Sequence, residues 1–79
     1  MVYRTYILYS KSINKYYTGF TSLSMQNRLA YHLSKHKGFT SLAKDWIVLF
    51  EKSFDDKKEA LTLELQIKKR GAKRFLENR

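Results

Sequence analysis

The segment that decides the fold is VYRTYILYSKSINKYYTGF, from Val2 to Phe20. Val2 to Tyr9 is rich in β-branched and aromatic residues and is apolar on both alternating faces, which indicates a strand that is covered on both sides. Ser10 to Lys15 is polar, and Tyr16 to Phe20 is aromatic again. The segment therefore predicts an antiparallel hairpin with a short polar loop.

The second strand of this hairpin has two different faces. Tyr16, Thr18 and Phe20 share one side, whereas Tyr17 and Gly19 share the other. A glycine near a strand end permits a close approach to the backbone or an unusual dihedral angle. We therefore expect Gly19 to serve one of these purposes.

A helix is predicted after the hairpin. Thr21 to Ser24 offers several N-cap residues. Residues of one helix stripe then recur at three- and four-residue spacing, namely Met25, Leu29, Leu33 and His36. We expect Gly38 to end this amphipathic helix.

A third strand and a long helix are predicted in the second half of the chain. Phe39 to Lys44 indicates a loop or a short helical turn, and Trp46 to Glu51 is a strand candidate. Ser53 can cap the next helix, with Asp56 three residues on as a weaker capping box. We expect this helix over residues 54 to 70.

The end of the chain completes the predicted architecture. Gly71 is expected to break the long helix, and Ala72 to Asn78 to form a short basic one. The predicted fold class is a small α/β (α+β) fold, in which helices flank a three-stranded, mostly antiparallel sheet. With 79 residues, 43% of them hydrophobic, residues 1–79 are expected to form a single domain with one modest core.

Charge points to the class of partner. Lys and Arg total 16 against 7 Asp and Glu, and the resulting net charge of +9 attracts polyanions. Nucleic acid is the first partner to consider, although small basic proteins also bind acidic proteins or anionic membranes nonspecifically. The absence of cysteine excludes disulfides, thiolate zinc sites and cysteine nucleophiles.

The expected location is the cytoplasm. The longest apolar run is Trp46 to Phe50, far below the roughly 20 residues that a membrane span requires. The N-terminus reads as a strand and lacks the plan of a signal peptide. We therefore expect no membrane partner.

Glu64 is the most informative acidic residue. Its neighbours on the predicted helix are apolar: Ala60, Leu61, Leu63 and Ile67. A carboxylate that faces a core needs a partner, because its desolvation costs several kcal/mol. A metal ion would satisfy Glu64, and so would a salt bridge to Lys68 one turn on, or a side chain that reaches the edge of the face.

Arg28 and His32 lie four residues apart, so they should point side by side from the first helix. Arginine can stabilise charge on phosphoryl oxygens, and histidine can donate to the same group or carry a proton. A solvated helix face explains the same spacing. His36 is interpreted as a surface or core-edge residue, because two histidines without cysteine make a poor metal site.

The six tyrosines are expected to be mostly amphipathic core and edge residues. A tyrosine serves as a general base only if nearby cations lower its pKa from about 10. Basic residues also gather near the C-terminus: Lys68, Lys69, Arg70, Lys73, Arg74 and Arg79. This basic patch suits a phosphate backbone, and a mobile solvated tail is equally consistent with it.

The hairpin resembles the two half-motifs of the GIY-YIG endonuclease family. Arg4-Thr5-Tyr6-Ile7-Leu8 is followed, after eight residues, by Tyr17-Thr18-Gly19, so both tyrosines and the glycine match. Arg4 and Thr5 replace the glycine and isoleucine of the first half-motif, and Thr18 replaces the central aliphatic residue of the second.

Two downstream segments extend the resemblance over nearly the whole chain. Asn27 to His32 resembles the arginine helix of the family, and Glu59 to Lys69 resembles its metal-carboxylate helix. The chain is most similar to the small single-domain members, which are relatives of the nuclease module in the excision-repair incision subunit.

The resemblance implies phosphodiester hydrolysis in DNA. It implies that Glu64 holds one divalent cation, magnesium or manganese, and that Arg28 stabilises the phosphate. Tyr6 is the expected base and Tyr17 would position water or phosphate, with His32 in a supporting role. We further expect Lys15 to lower a tyrosine pKa or contact nucleic acid, together with the basic residues Lys68, Lys69, Arg70, Lys73 and Arg74.

Two rival hypotheses remain at this point. The first is a binding module that keeps the fold and the basic surface without efficient cleavage. The second is an adaptor for an acidic protein. Convergence of Tyr6, Arg28 and Glu64 would favour the enzyme, and a pairing of Glu64 with Lys68 alone would favour the others. A protein partner could supply specificity, because little of the chain is left to read bases.

Overall fold

The computed structural model describes residues 1–34 and 38–78. Its strands are β1 (Tyr3–Ser10), β2 (Lys15–Thr21) and β3 (Ile47–Phe54). Its helices are α1 (Met25–Leu33), a 3₁₀ helix (Phe39–Leu42), α2 (Lys57–Arg70) and α3 (Ala72–Glu77). His36 and Arg79, which the sequence places at a core edge and in the basic patch, lie outside the described residues.

The three strands form one antiparallel sheet in the order β2-β1-β3. The predicted hairpin is confirmed, with Tyr6 opposite Gly19 and Leu8 opposite Tyr17. The centre of β1 is fully buried, because alternate residues point to opposite faces and both faces are covered. The predicted α+β fold class is therefore confirmed.

The helix α1 and the 3₁₀ helix pack against one face of the sheet. Its buried cluster consists of Tyr6, Leu8, Met25, Ala43 and Trp46. Tyr17, Leu29 and Leu33 pack against this cluster and are partly buried. The apolar stripe that the sequence predicts for α1 is therefore the surface that holds this helix on the sheet.

The opposite face packs under α2 and α3. Thr5 donates a hydrogen bond of 2.5 Å from its hydroxyl to the carbonyl oxygen of Ala60, which ties β1 to α2. Ile67 of α2 is fully buried, and the rings of Phe50 and Phe75 meet edge to face at 5.1 Å. This layer holds the helix that carries Glu64.

Two predicted boundaries are wrong. Ser53 does not cap a helix, because β3 continues to Phe54 and Ser53 pairs with Arg4 of β1. The cap of α2 is Asp56, whose side chain accepts from the backbone N–H of Lys58 at 3.0 Å. Ladder hydrogen bonds with β1 therefore extend the strand through residues that could also begin a helix.

The helix α1 is also shorter than predicted. Gly38 does not end it; α1 ends at Leu33, with Ser34 as the C-cap. The hydroxyl of Ser34 donates to the carbonyl oxygen of Tyr31 at 2.6 Å, and its backbone N–H does so at 3.2 Å. These local bonds satisfy the helix end. Gly38 instead precedes the 3₁₀ helix, with φ of 127°.

Other local predictions are confirmed. Ser24 caps α1 by accepting from the N–H of Asn27, and the predicted helical turn after Gly38 is the 3₁₀ helix. Gly71 ends α2, where φ of 99° disfavours other residues. None of the helices within residues 1–34 and 38–78 has the length and apolar character needed to cross a membrane.

Candidate active site

The phenol oxygen of Tyr6 joins β1 to α1. It accepts a hydrogen bond of 2.9 Å from Nε of Arg28, and it lies 2.8 Å from Nε2 of His32. Arg28 and His32 are four residues apart on α1, so their side chains descend from the same helix face onto the sheet. The expected pairing of Arg28 with His32 is therefore completed by a tyrosine from the hairpin.

A threonine holds the other side of the histidine ring. Nδ1 of His32 lies 2.7 Å from the hydroxyl oxygen of Thr40 in the 3₁₀ helix, and His32 is only 2% exposed. The carbonyl oxygen of Thr40 in turn accepts from Nε1 of Trp46 at 2.8 Å. Sequence reasoning missed Thr40, because a threonine in a short turn carries no periodic signal.

Gly19 makes room for the Tyr6 side chain. A Cβ atom at position 19 would collide with the Tyr6 hydroxyl and would lie 2.5 Å from the Cζ atom of Tyr6. It would also lie 3.0 Å from Cε2 of Tyr17. The close approach expected at this glycine is therefore confirmed, and the approaching group is the Tyr6 side chain.

Tyr17 borders the same cluster of rings. Its ring centroid lies 6.3 Å from that of Tyr6 and 5.1 Å from that of His32. On its other side it stacks with Phe39, at a centroid distance of 6.1 Å and an interplanar angle of 18°. Tyr17 thus links the buried polar cluster to the more exposed ring of Phe39.

Burial raises the pKa of Tyr6 to about 12, although the hydrogen bond and the charge of Arg28 oppose this shift. The expectation that cations lower the pKa of the catalytic tyrosine is therefore wrong for Tyr6. The physical reason is that desolvation of a phenolate within the core outweighs the attraction of one guanidinium group. Tyr6 is a neutral phenol at pH 7.

Glu64 lies on α2 with its side chain only 15% exposed, so it is mostly buried, as its apolar neighbours predict. Its Oε2 atom forms an ion pair of 3.1 Å with Nζ of Lys68, one turn on. The charge of Glu64 also contributes to the raised pKa of Tyr6. Both the predicted salt bridge and an electrostatic link to the tyrosine cluster are therefore present.

One protein family matches nearly the whole chain. The family model of the GIY-YIG catalytic domain matches residues 2–78 of this chain. The chain belongs to the GIY-YIG family. GIY-YIG domains are nuclease domains, and membership implies nuclease activity on DNA. Searches of curated proteins and of solved structures returned no match.

Two departures from the GIY-YIG half-motifs lie on the sheet face opposite Tyr6. Strand alternation places Thr5 and Thr18 there, and both are buried. Thr5 uses its hydroxyl to bond the backbone of Ala60 in α2. These substitutions therefore change the packing under α2 and leave the tyrosine cluster intact.

The third departure, Arg4, fastens two neighbouring segments. Its Nη1 atom donates to the carbonyl oxygen of Leu23 at 3.1 Å, just before α1 begins. Its Nε atom lies 3.6 Å from a carboxylate oxygen of Glu51 in β3. Arg4 therefore joins the start of α1 to the sheet.

GIY-YIG nucleases generally depend on divalent metal ions. Among residues 1–34 and 38–78, no three His, Cys, Asp or Glu side chains gather in a way that could hold a metal. Glu64 offers a lone, partly exposed carboxylate. This donor fits magnesium, which commonly keeps several waters and takes one or two carboxylates.

The basic residues of the GIY-YIG domain lie on different parts of its surface. Lys68 lines a groove with Tyr17, whereas Lys69 and Arg70 line a separate groove with Phe75. Two further groups of exposed cations are Lys15 at the start of β2, and Lys73 and Arg74 on α3. Of the residues predicted to bind nucleic acid, Lys68 is therefore the one beside the tyrosine cluster.

Proposed function

We propose that this GIY-YIG domain is an endonuclease that hydrolyses phosphodiester bonds in DNA with one divalent cation, magnesium or manganese. The observation that carries the proposal is the position of the Tyr6 phenol oxygen between Nε of Arg28 and Nε2 of His32. A residue that can exchange a proton thus lies beside a permanent cation that can bind a phosphate.

The proposed mechanism assigns a direction to proton transfer along these hydrogen bonds. The Arg28 N–H donates to the phenol oxygen. In the proposed tautomer, the neutral phenol donates its own hydrogen to Nε2 of His32, which lies 2.8 Å away. Nδ1 of His32 then carries the hydrogen and donates to Thr40. We therefore infer that His32 is the final proton acceptor and that Thr40 holds its tautomer.

The proposed reaction uses this chain of bonds. The attacking water transfers a proton to the Tyr6 oxygen as the phenol proton passes to His32, which becomes an imidazolium. The water oxygen forms a bond to phosphorus, the bond from phosphorus to the leaving oxygen breaks, and the leaving oxygen takes a proton from solvent. The high pKa of Tyr6 suits this role, because the phenol never has to persist as a phenolate.

Arg28 has two roles in the proposal. Nε is occupied by Tyr6, and the guanidinium carbon lies 4.9 Å from the centroid of the Tyr31 ring. The terminal N–H groups can bind phosphoryl oxygens and stabilise charge in the transition state. Tyr6 is 0% exposed, so the proposal requires that its surroundings open when the substrate binds.

Glu64 is the residue that would hold the cation, and Tyr17 would position the phosphate or the water. When bound, the cation polarises the phosphate and neutralises charge on the leaving oxygen. A metal ion at Glu64 would compete with Lys68 for the carboxylate, since Lys68 forms an ion pair with it.

Cleavage assays with matched glutamate variants test this proposal. Labelled single-stranded, duplex, flap and branched DNA, and an RNA duplex, are incubated with magnesium, with manganese or with EDTA. We expect metal-dependent cleavage that Glu64→Gln lowers at least about 100-fold. Glu59→Gln changes an exposed carboxylate of the same helix and should retain cleavage. Equal activity of Glu64→Gln and wild type would refute the assigned role.

A non-cleaving DNA-binding module is the second candidate. Two observations favour it. The ion pair with Lys68 occupies the Glu64 carboxylate that would hold the metal, and complete burial keeps the Tyr6 hydroxyl from water. This candidate predicts salt-sensitive binding that is equal in wild type and Glu64→Gln, with no cleavage under any metal condition. Circular dichroism must show that both proteins are folded.

A further inference from the structure

A groove of about 350 Å³ runs along the outer edge of β2, beside the tyrosine cluster. We name it the edge groove, and its lining residues are Tyr16, Tyr17, Thr18, Phe39, Lys68 and Ala72. Strand β2 and the 3₁₀ helix provide one part of this lining, and α2 and α3 provide the other. The groove therefore lies where the two helical layers meet at the sheet edge.

Two aromatic rings in the lining of the edge groove lie nearly parallel to each other. The rings of Tyr17 and Phe39 are inclined by only 18°, with their centroids 6.1 Å apart. Phe39 is 42% exposed, although it also contacts Trp46 of the core. The groove thus combines an accessible aromatic surface with the cation of Lys68.

We propose that the edge groove binds one unpaired nucleobase of the DNA strand that is cut. Every nucleobase has a flat π-face that can stack on an aromatic ring, and a lysine suits the neighbouring phosphate. The ring of Tyr17 lies 6.3 Å from that of Tyr6, so the bound base belongs to a nucleotide close to the scissile phosphate. This placement of the base rests on the proposed nuclease function.

The proposal determines which DNA shapes bind best. A base within a duplex must leave its stack and its partner before it can enter the groove, and this costs free energy. A base in a flap, a single strand or a frayed end has little or no such cost. DNA with unpaired nucleotides should therefore bind more tightly than a continuous duplex of the same charge.

Binding measurements in EDTA test the groove without any cleavage. The probe is a fluorescently labelled duplex with a short unpaired flap, compared with a continuous duplex that has the same number of phosphates. Wild type and Phe39→Tyr should prefer the flap, and Phe39→Ala should bind it about tenfold more weakly with unchanged duplex affinity. Leu42→Ala removes an exposed side chain from the same 3₁₀ helix and should have no effect.

An abasic flap separates base stacking from structural damage. It keeps each phosphate but lacks the bases, so wild type should lose the same factor of about ten that Phe39→Ala loses on the intact flap. Phe39→Ala should bind the abasic flap no more weakly than it binds the intact flap. The substitution and the missing base remove the same contact, so their losses of affinity should not add. Phe39→Leu keeps most of the apolar volume without a flat ring, and it should behave like Phe39→Ala.

Several results would overturn the proposal. Equal binding of flap and duplex by wild type is one, and an equal loss on both DNAs in Phe39→Ala is another. Additive losses in the abasic experiment would likewise show that Phe39 does not contact a base. Because these measurements need no metal and no turnover, their outcome is independent of whether Glu64→Gln abolishes cleavage.

Discussion

The hydroxyl group of Tyr6 on β1 occupies the space in which a side chain at Gly19 on β2 would begin. The two residues are direct partners in the hairpin register. Because glycine has no Cβ atom, the long tyrosine side chain can lie across the backbone of β2 and still reach Arg28 and His32 on α1. A glycine in the second half-motif thus determines the position of the tyrosine in the first.

Replacement of Gly19 should displace Tyr6. We expect Gly19→Ala to lower the free energy of unfolding by about 1–3 kcal/mol, because the added methyl group overpacks a buried contact. We also expect it to abolish cleavage, because the phenol oxygen leaves its hydrogen-bond partners. Urea denaturation and a flap-cleavage assay measure the two effects.

A double variant tests the cause of that loss. Tyr6→Leu removes the Cζ and hydroxyl groups that would meet the new methyl group. The stability cost of Gly19→Ala should therefore be smaller in the Tyr6→Leu background than in wild type. Equal costs in the two backgrounds would mean that backbone effects at Gly19, and not the contact with Tyr6, explain the loss.

The Tyr6 phenol should lose its proton at a higher pH than ordinary tyrosines do. Its folded pKa of about 12 exceeds the ordinary tyrosine pKa of 10.0, so its neutral form stabilises the fold below pH 10 and this stabilisation is lost as pH rises toward 12. In an ultraviolet titration of phenolate absorbance, Tyr6→Phe should remove a component with a midpoint near 12. Tyr9→Phe removes an exposed hydroxyl elsewhere and should leave that component in place.

The geometry of Arg28 should matter beyond its charge. Arg28→Lys keeps the cation but cannot bond Tyr6 through Nε and bind a phosphate with the other N–H groups. We expect kcat/KM to fall by about 10²–10³-fold, with smaller changes in DNA affinity. Arg70→Lys, at an exposed position in the last turn of α2, is the matched control. Similar activity in both variants would contradict the role of Arg28.

Asp45 should contribute to stability in acid. Hydrogen bonds from Ser10 and Ser12 to its carboxylate lower the pKa of Asp45 and tie the hairpin loop to the residues before β3. This contribution is present above the unfolded pKa of about 3.9 and is lost as pH falls through the lower folded pKa.

Asp45→Asn should therefore reduce the melting temperature at neutral pH and weaken the further decrease below about pH 4. Asp55→Asn, at an exposed carboxylate between β3 and α2, is the control. Identical pH profiles of wild type and Asp45→Asn would exclude this carboxylate as a source of acid sensitivity.

Local sequence predicted most elements but not all of their ends. The apolar character of both faces identified the buried β1 strand, and the cap candidates from Thr21 to Ser24 identified the start of α1. The start of α2 was wrong because Ser53 can cap a helix in isolation, whereas in the fold its backbone pairs with Arg4. Hydrogen bonds between distant segments decided that boundary.

The sequence predicted most residues of the candidate site but not the hydrogen bonds between them. The spacing of Arg28 and His32 placed them on one helix face, and the apolar neighbours of Glu64 singled out its carboxylate. The resemblance to the GIY-YIG family added Tyr6. Thr40 was missed, and the pKa of Tyr6 shifts opposite to the expected direction. Both outcomes depend on burial, which the spacing of residues does not measure.

The sequence by itself determined the hairpin, the amphipathic face of α1 and the positive charge, because each follows from local periodicity or composition. Only the tertiary structure decided that Tyr6 bonds Arg28 and His32 and that Phe39 stacks on Tyr17. The bonds of Tyr6 and the stacking of Phe39 join different elements of the chain. Their formation depends on sheet register and helix packing, and hence on the whole fold.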